Sequence, residues 1–347
     1  GCRVVVKAPP GHPGLSVLTG RIVGEALAAA GAPPGTFAVV HGLAAGRDLV
    51  VHPAIRAAGF TGSLAGGRAL HDLAASRPDP IPFYGELGAL NPVVVTPGAL
   101  AERADEIVTG FVSSYTLGAG QFCTKPGLLL LPVGHGLAER LAAAAGQVTV
   151  GPLLNEKIRT GFEASAAALA AVPGVRSLLP APESGGAGWS VVPRLFVTAA
   201  ATLRAHAAEL LEECFGPASL LVEYGSADEL LETLDALPGS LTGTLHAAVD
   251  TEAELVAEVT RRLAARAGRV IVGGWPTGVA VTWAMQHGGP WPATTNPLHT
   301  SVGVTALRRW LRPVVYQNAP QSVLPPPLRD DNPWGVPRRV GGVLSSH

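Results

Sequence analysis

Apolar and polar positions switch between a period of two and a period near 3.6 along this chain, and the switching predicts strands and helices in turn. A β-branched run at 4–6 reads as a first strand. Apolar residues at helical spacing fill 15–30 and stop at Gly31, and 37–41 reads as a second strand. A third strand at 57–61 runs into the glycine turn Gly62-Ser63-Leu64-Ala65-Gly66-Gly67 and a helix reaching Ala75, with the next strand at 81–84. After Asn91-Pro92 the pattern resumes, with strands at 92–96, 128–131, 191–197, 219–223 and 270–272. Helices fit 99–113, 156–171, 202–211, 227–237 and 252–267. Such βαβα order implies a mostly parallel sheet covered by helices on both faces, with ligands held at the carboxyl ends of strands. The Pro/Gly/Ser-rich segment 180–188 reads as a surface loop. The tail from Pro320 reads as an irregular segment that drapes over a surface or a partner subunit.

Length adds that 347 residues exceed one small core, so two domains are expected. A net charge of −1 without any block of like charges makes nucleic acid and anionic membranes poor partners. The strongest apolar run, 128–133, is broken by Pro132 and is far short of the roughly 20 residues that span a bilayer. The three cysteines, an odd count with no C-x-x-C pair, argue against a disulfide scaffold or a zinc site. The ten histidines form no H-E-x-x-H, so no metal is expected. The chain opens without methionine and directly as a strand, which reads as a start inside a domain. Nothing in it demands an oxidising compartment, so a cytoplasmic location is expected.

Candidate chemistry concentrates in Gly118-Ala119-Gly120-Gln121-Phe122-Cys123-Thr124. Small neighbours let a planar carbonyl approach the thiol, and nearby backbone N–H groups can stabilise the oxyanion that attack creates. Glu86, isolated in Gly85-Glu86-Leu87-Gly88, can act as a base on the thiol or on a hydrolytic water. Taken singly, Cys123 reads equally as a buried small hydrophobe and Glu86 as a surface carboxylate. The G-x-G-x-x-G fingerprint is absent; in its place Gly62, Ser63 and Gly67 form a strand-to-helix turn that can receive a phosphate, although a purely structural turn looks the same. Lys7 closes the first strand, where an ammonium can reach a ribose or phosphate or simply cap the strand end.

Together these segments resemble the aldehyde dehydrogenase superfamily from the first residue to about Gln317. Val4-Val5-Val6-Lys7, Phe60-Thr61-Gly62-Ser63, Glu86-Leu87-Gly88, Gly120-Gln121-Phe122-Cys123 and Glu212-Glu213-Cys214-Phe215-Gly216-Pro217 stand in that family's order and near its spacing. A finer similarity is to 2,5-dioxopentanoate (α-ketoglutarate semialdehyde) dehydrogenases and NADP-dependent fatty aldehyde dehydrogenases. It is carried by Lys7–Gly14, Phe122–Gly127, Pro276–Val279, Gly288–Thr294 and Arg308–Pro313. The resemblance implies an α/β fold, with the remainder of a Rossmann-like cofactor domain at 1–88, a catalytic α/β domain at 89–305 and an oligomerisation strand and tail at 306–347. It implies Cys123 as the nucleophile that passes through a thiohemiacetal and a thioester, and Glu86 as the base for the hydrolytic water. Lys7 and Pro10 lie where the adenosine ribose is held, Gly62, Ser63 and Gly67 along the pyrophosphate, and Leu87, Glu213 and Phe215 around the nicotinamide. An aldehyde substrate and a homodimer or homotetramer follow from the same likeness.

The family's usual ribose-binding glutamate, three residues after the lysine, is Pro10 here, which favours NADP while leaving NAD possible. Leu87-Gly88-Ala89 replaces a double glycine, and the family's oxyanion asparagine falls upstream of Gly1. Two other readings stand beside the dehydrogenase. One is a catalytically silent fragment that assembles through a strand at 313–317. The other is a cysteine hydrolase without nucleotide, for which no histidine is marked by its position as a partner of Cys123.

Overall fold

A computed structural model describes residues 2–180 and 188–345; the loop expected at 180–188 therefore lies, over 181–187, outside the described residues. The chain divides into two units, Gly1–Arg309 and Trp310–His347.

The first unit begins with four parallel strands joined by helices. β1 (Val4–Lys7) leads through α1 (Pro13–Ala29) to β2 (Phe37–Val40), and the two strands pair from Val4↔Phe37 to Lys7↔Val40. His12 caps α1 by accepting from the Leu15 N–H, Pro13 supplies the preset φ of the first turn, and Gly31 at φ +71 ends it. α2 (Leu43–Val51) was not read from the sequence, because no side chain caps its Gly42 start. β3 (Ala58–Thr61) then passes through α3 (Leu64–Ala75) to β4 (Phe83–Glu86), and the parallel register puts Thr61 opposite Glu86.

Beyond Asn91-Pro92 lies a seven-stranded sheet. Its members are β5 (Val93–Val95), β6 (Leu128–Pro132), β7 (Arg176–Ser177), β8 (Arg194–Ala199), β9 (Ala218–Tyr224), β10 (Ser240–His246) and β11 (Ala267–Val272), in the order β11-β10-β5-β6-β9-β8-β7. All neighbours are parallel except β7 against β8. α4 (Pro97–Thr116) and α5 (Ala138–Gly146) cover one face, packing Ile107, Phe111 and Leu141 on Val93, Leu129 and Leu131. The other face carries α6 (Glu156–Ala171), α7 (Ala200–Ala205), α8 (Ala207–Leu210), α9 (Ala227–Ala236) and α10 (Ala253–Arg266) over Val94, Leu128 and Leu130. Both faces of β6 are thus covered, which is why 128–131 is one unbroken leucine run.

Two expectations are corrected here, and one strand is added. β10 is a fully buried central strand that the sequence reading passed over, since Ser240-Leu241-Thr242-Gly243-Thr244 has polar residues where an apolar run was sought. The helix expected at 202–211 breaks at His206 into α7 and α8. The strand expected at 313–317 has no regular secondary structure. Among the described residues no helix is long and apolar enough to cross a membrane.

The second unit is less irregular than its prolines imply. β12 (Arg338–Val340) and β13 (Val343–Ser345) form an antiparallel hairpin. Its turn, Gly341-Gly342, takes φ +57 and +86, the left-handed pair a two-residue hairpin requires. The Asn332 side chain bonds both backbone groups of Val336, donating to its carbonyl and accepting from its N–H, at 3.1 Å each.

Candidate active site

The candidate nucleophile sits on the connection from α4 to β6. After Thr116 the chain reverses through Gly118, Ala119 and Gly120, three consecutive residues at φ +56 to +67. Gly120 is required twice over: its conformation is left-handed, and a Cβ there would collide with the Gly216–Pro217 backbone. That contact joins the cysteine turn to the Glu213 segment.

Asn91 holds the same turn from below. It is fully buried, its Nδ2 donates to the carbonyls of Cys123 (2.9 Å) and Lys125 (3.0 Å), and its Oδ1 accepts from Thr242 N and Oγ1 of β10 (3.1 Å each). Lys125, also buried, donates from Nζ to the carbonyls of Cys214 (2.9 Å) and Ala218 (2.8 Å). Burial pulls its pKa down while Cys214 and Glu213 oppose the shift. Neither strut was singled out in the sequence, where a residue before Pro92 and a lysine after Cys123 carry no mark of their partners. Asn91→Ala removes two donors and an acceptor from buried backbone groups and leaves alanine at φ +50. Urea unfolding should show a loss of about 3 kcal/mol or more; a loss under about 1 kcal/mol means that the turn holds without the strut.

Glu86 ends β4, and its neighbours Leu87 and Gly85 are pinned by the segment 288–295. The Leu87 N–H donates to the Ala293 carbonyl (2.8 Å), the Gly85 N–H donates to Thr295 Oγ1 (2.8 Å), and Glu86 bridges Thr294. The same segment delivers His287, which sequence reasoning missed. His287 Nε2 lies 3.3 Å from Cys123 Sγ and 3.4 Å from Glu86 Oε1. Its backbone N–H donates to Thr300 Oγ1 (2.8 Å). The Ser301 hydroxyl lies between Glu86 Oε2 and the His287 carbonyl, 2.9 Å from the latter. The one available signal was that His287 directly precedes Gly288-Gly289-Pro290.

Electrostatics follow from this packing. Hydrogen bonds to Cys123 and then to Glu86 push the His287 imidazole up to about 9, against the opposing pull of burial. For Glu86 burial pulls upward, and the His287 and Ser301 hydrogen bonds overcome it, leaving the carboxyl below its ordinary value. Burial pushes Glu213 up to about 7, with Lys125 pulling the other way. Thiol and carboxylate both face the same imidazole nitrogen, Nε2, which can take a proton from sulfur and hold it beside the Glu86 carboxylate.

The expected cofactor residues fall into two groups. Gly62 donates to the Glu86 carbonyl (3.1 Å), Ser63 caps α3 by accepting from the Gly66 N–H (3.3 Å), and Leu87 packs where a Cβ on Gly67 would stand. Glu213 lies beside Gly88, where an added Cβ would meet Oε2 at 2.8 Å, and Phe215 is half-buried on the same segment. Gly62 thus adjoins Glu86, Gly67 adjoins Leu87, and Glu213 adjoins Gly88. Lys7 instead runs its stem along Gly46 of α2, and Pro10 is exposed in the turn after β1. Glu86 stands at the carboxyl end of β4, whereas Cys123 precedes β6 and stands at the amino end of the larger sheet, where no ligand was expected. The Glu86–His287–Cys123 contacts thus join the carboxyl end of one strand set to the amino end of the other.

Comparison with known proteins gives one family. The sequence profile described as the aldehyde dehydrogenase family matches residues 1–291. An alpha-ketoglutaric semialdehyde dehydrogenase 2 of Azospirillum brasilense is 45% identical over 354 residues, covering 99% of this chain and 66% of the relative. An alpha-ketoglutaric semialdehyde dehydrogenase of Acinetobacter baylyi is 39% identical over 352 residues, covering 100% of this chain and 66% of the relative. The chain thus spans 66% of the length of these curated relatives. Among solved structures, the lactaldehyde dehydrogenase of Escherichia coli superposes with a TM-score of 0.77 at 22% identity, over 91% of this chain and 65% of that one. An aldehyde dehydrogenase of Pseudomonas syringae, crystallised with NAD+ and octanal, gives 0.74 at 24% identity, over 90% and 62%. Both likenesses concern the fold.

Proposed function

The chain belongs to the aldehyde dehydrogenase family, and from that premise we propose that the protein oxidises an aldehyde to its carboxylic acid with NAD(P)+, with 2,5-dioxopentanoate (α-ketoglutarate semialdehyde) as the substrate. The observation that carries the reading is Cys123 Sγ at 3.3 Å from an imidazole that Glu86 holds at 3.4 Å. The substrate follows the curated relatives at 45% and 39% identity. Aldehyde-dependent formation of NAD(P)H by the full-length protein, compared for 2,5-dioxopentanoate and for simple aliphatic aldehydes, tests it. Equal kcat/KM for all of them would overturn the substrate assignment.

In the mechanism His287 Nε2 takes the thiol proton and Cys123 attacks the aldehyde carbon, giving a thiohemiacetal. The cofactor, when bound, supplies the hydride acceptor. The resulting thioester on Cys123 is opened by a water from which Glu86 removes a proton, releasing the acid and the free thiol. The first-turn N–H groups of Leu64 and Ala65, which no helical carbonyl can satisfy, and the Ser63 turn suit a pyrophosphate. Glu213 and Phe215 suit the nicotinamide ribose. A homodimer or homotetramer in the cytoplasm completes the proposal and rests on the family membership alone.

NADP is the preferred cofactor in this reading. Lys7 offers an ammonium and Pro10 removes a carboxylate, so a 2′-phosphate gains a charge-assisted contact of about 1.5–3 kcal/mol, roughly ten- to a hundredfold in affinity. Pro10→Glu should erase or invert the preference, read as kcat/KM for both cofactors. Equal values in wild type, unchanged in the variant, would mean that the adenosine ribose lies elsewhere.

The Cys123–His287 pair favours a second reading, hydrolysis of activated esters without nucleotide. Ester turnover unaffected by NAD(P), with no aldehyde oxidation and no quenching of protein fluorescence on adding NAD(P), would favour it over the first.

A further inference from the structure

The site was expected to be free of metal, because no histidine or cysteine spacing in the sequence marks one. The fold nevertheless gathers Glu86, Cys123 and His287 so that one donor atom from each lies within 4.8 Å of the others. Sulfur, imidazole nitrogen and carboxylate oxygen are the donor set of tetrahedral zinc. Ordinary Zn–S, Zn–N and Zn–O bonds impose S···N and N···O edges of about 3.5 and 3.3 Å on a tetrahedron. The observed edges are 3.3 Å for Cys123 Sγ to His287 Nε2 and 3.4 Å for His287 Nε2 to Glu86 Oε1. A single Nε2 proton cannot point squarely at both neighbours, whereas one cation can bond all three atoms. Glu86 and His287 are buried and Cys123 is half-buried, so the face is held by protein and open on the thiol side to a water as fourth ligand.

We propose that Glu86, Cys123 and His287 form a reversible binding site for Zn²⁺ that blocks the nucleophile. Binding makes Zn–S, Zn–N and Zn–O bonds, breaks the S–H bond of Cys123 and releases its proton to solvent; nothing is oxidised or reduced. Thiolate and carboxylate together balance the charge of the dication. Two features keep the site weaker than a structural zinc centre. His287 Nδ1, which carries the ring proton once Nε2 binds metal, has no hydrogen-bond partner among the described residues. Arg309 and Arg269 place positive charge near Glu86 and Cys123 respectively. Zinc should therefore come and go with its free concentration.

The test reads the thiol and does not depend on turnover. In the Cys2→Ser background, which removes the exposed cysteine, alkylation of Cys123 by iodoacetamide is followed by peptide mass spectrometry against buffered free Zn²⁺. One zinc per chain should protect Cys123, and EDTA should restore alkylation. His287→Gln and Glu86→Gln should each raise the half-protecting zinc concentration at least about tenfold. Should either variant fold poorly, Co²⁺ added to the parent protein supplies a separate reading: a sulfur-to-cobalt charge-transfer band that vanishes in Cys123→Ala. Absence of protection at any zinc concentration that leaves the protein soluble, unchanged protection in His287→Gln, or a cobalt spectrum without the sulfur band each overturns the proposal. Protection by zinc in a protein that oxidises no aldehyde would sustain this site while removing the dehydrogenase reading.

Discussion

Cys123→Ala should reduce aldehyde oxidation by several orders of magnitude, to the background of the assay, while leaving cofactor affinity within a few-fold. Only a thiolate attacks efficiently, and an ordinary thiol is a few per cent ionised at neutral pH, so catalysis depends on the imidazole placed against this one sulfur. No other cysteine can take over. Cys214 is buried with its Sγ 3.7 Å from the Phe162 carbonyl, and burial pushes its thiol up to about 11. Cys2 is exposed, ahead of β1 and far along the chain from Glu86. Cofactor affinity should be spared because the proposed cofactor residues Gly62, Ser63, Gly67 and Glu213 are held by Glu86 backbone, α3 and the Gly88 segment, none of which leans on the thiol. Initial rates of NAD(P)H formation and a fluorescence titration with cofactor check both halves. Turnover retained in the variant would remove Cys123 from the chemistry.

The sequence carried those parts of the fold whose causes are local. α1 declares itself through helical apolar spacing and its Gly31 stop, α3 through the glycine turn that leads into it, and β6 through a leucine run that only a doubly covered strand tolerates. β10 does not, because its Thr242 earns burial by bonding Asn91 across the sheet, a partner 151 residues away. His287 was invisible for the same reason. Its chemistry comes from Cys123, 164 residues earlier, and from the pairing of the following segment with Glu86 and Leu87. The motif Gly288–Thr294 was legible as a likeness, yet its physical task emerged only when Gly289 was found against the Ser240 carbonyl and Gly268 against the Gly288 backbone. Glycine at those contacts lets the segment lie flat on two strands and carry its histidine to Cys123 and Glu86. Local pattern thus reports elements, whereas the site is made by long-range contacts that leave only small residues and isolated polar ones behind.

Glu86 and His287 should separate the two halves of the reaction. Glu86→Gln keeps an amide of the same size beside His287 but cannot take a proton from water, so acylation of Cys123 proceeds while thioester hydrolysis stalls. Rapid mixing should show a burst of NAD(P)H near one per site, followed by turnover slower by about 10²–10⁴. His287→Gln should act earlier, because the group 3.3 Å from Sγ no longer accepts the thiol proton, and the burst itself should slow by about 10²-fold or more. Combining the two changes tests whether they share one role. Residues serving successive steps give a variant in which acylation is as slow as in His287→Gln and hydrolysis as slow as in Glu86→Gln. If Glu86→Gln alone abolishes the burst, the carboxylate is needed to hold the imidazolium while sulfur attacks, and the water must be activated by another group. The 3.4 Å contact between Glu86 and His287 makes that outcome physically reachable, and the burst amplitude decides between the two.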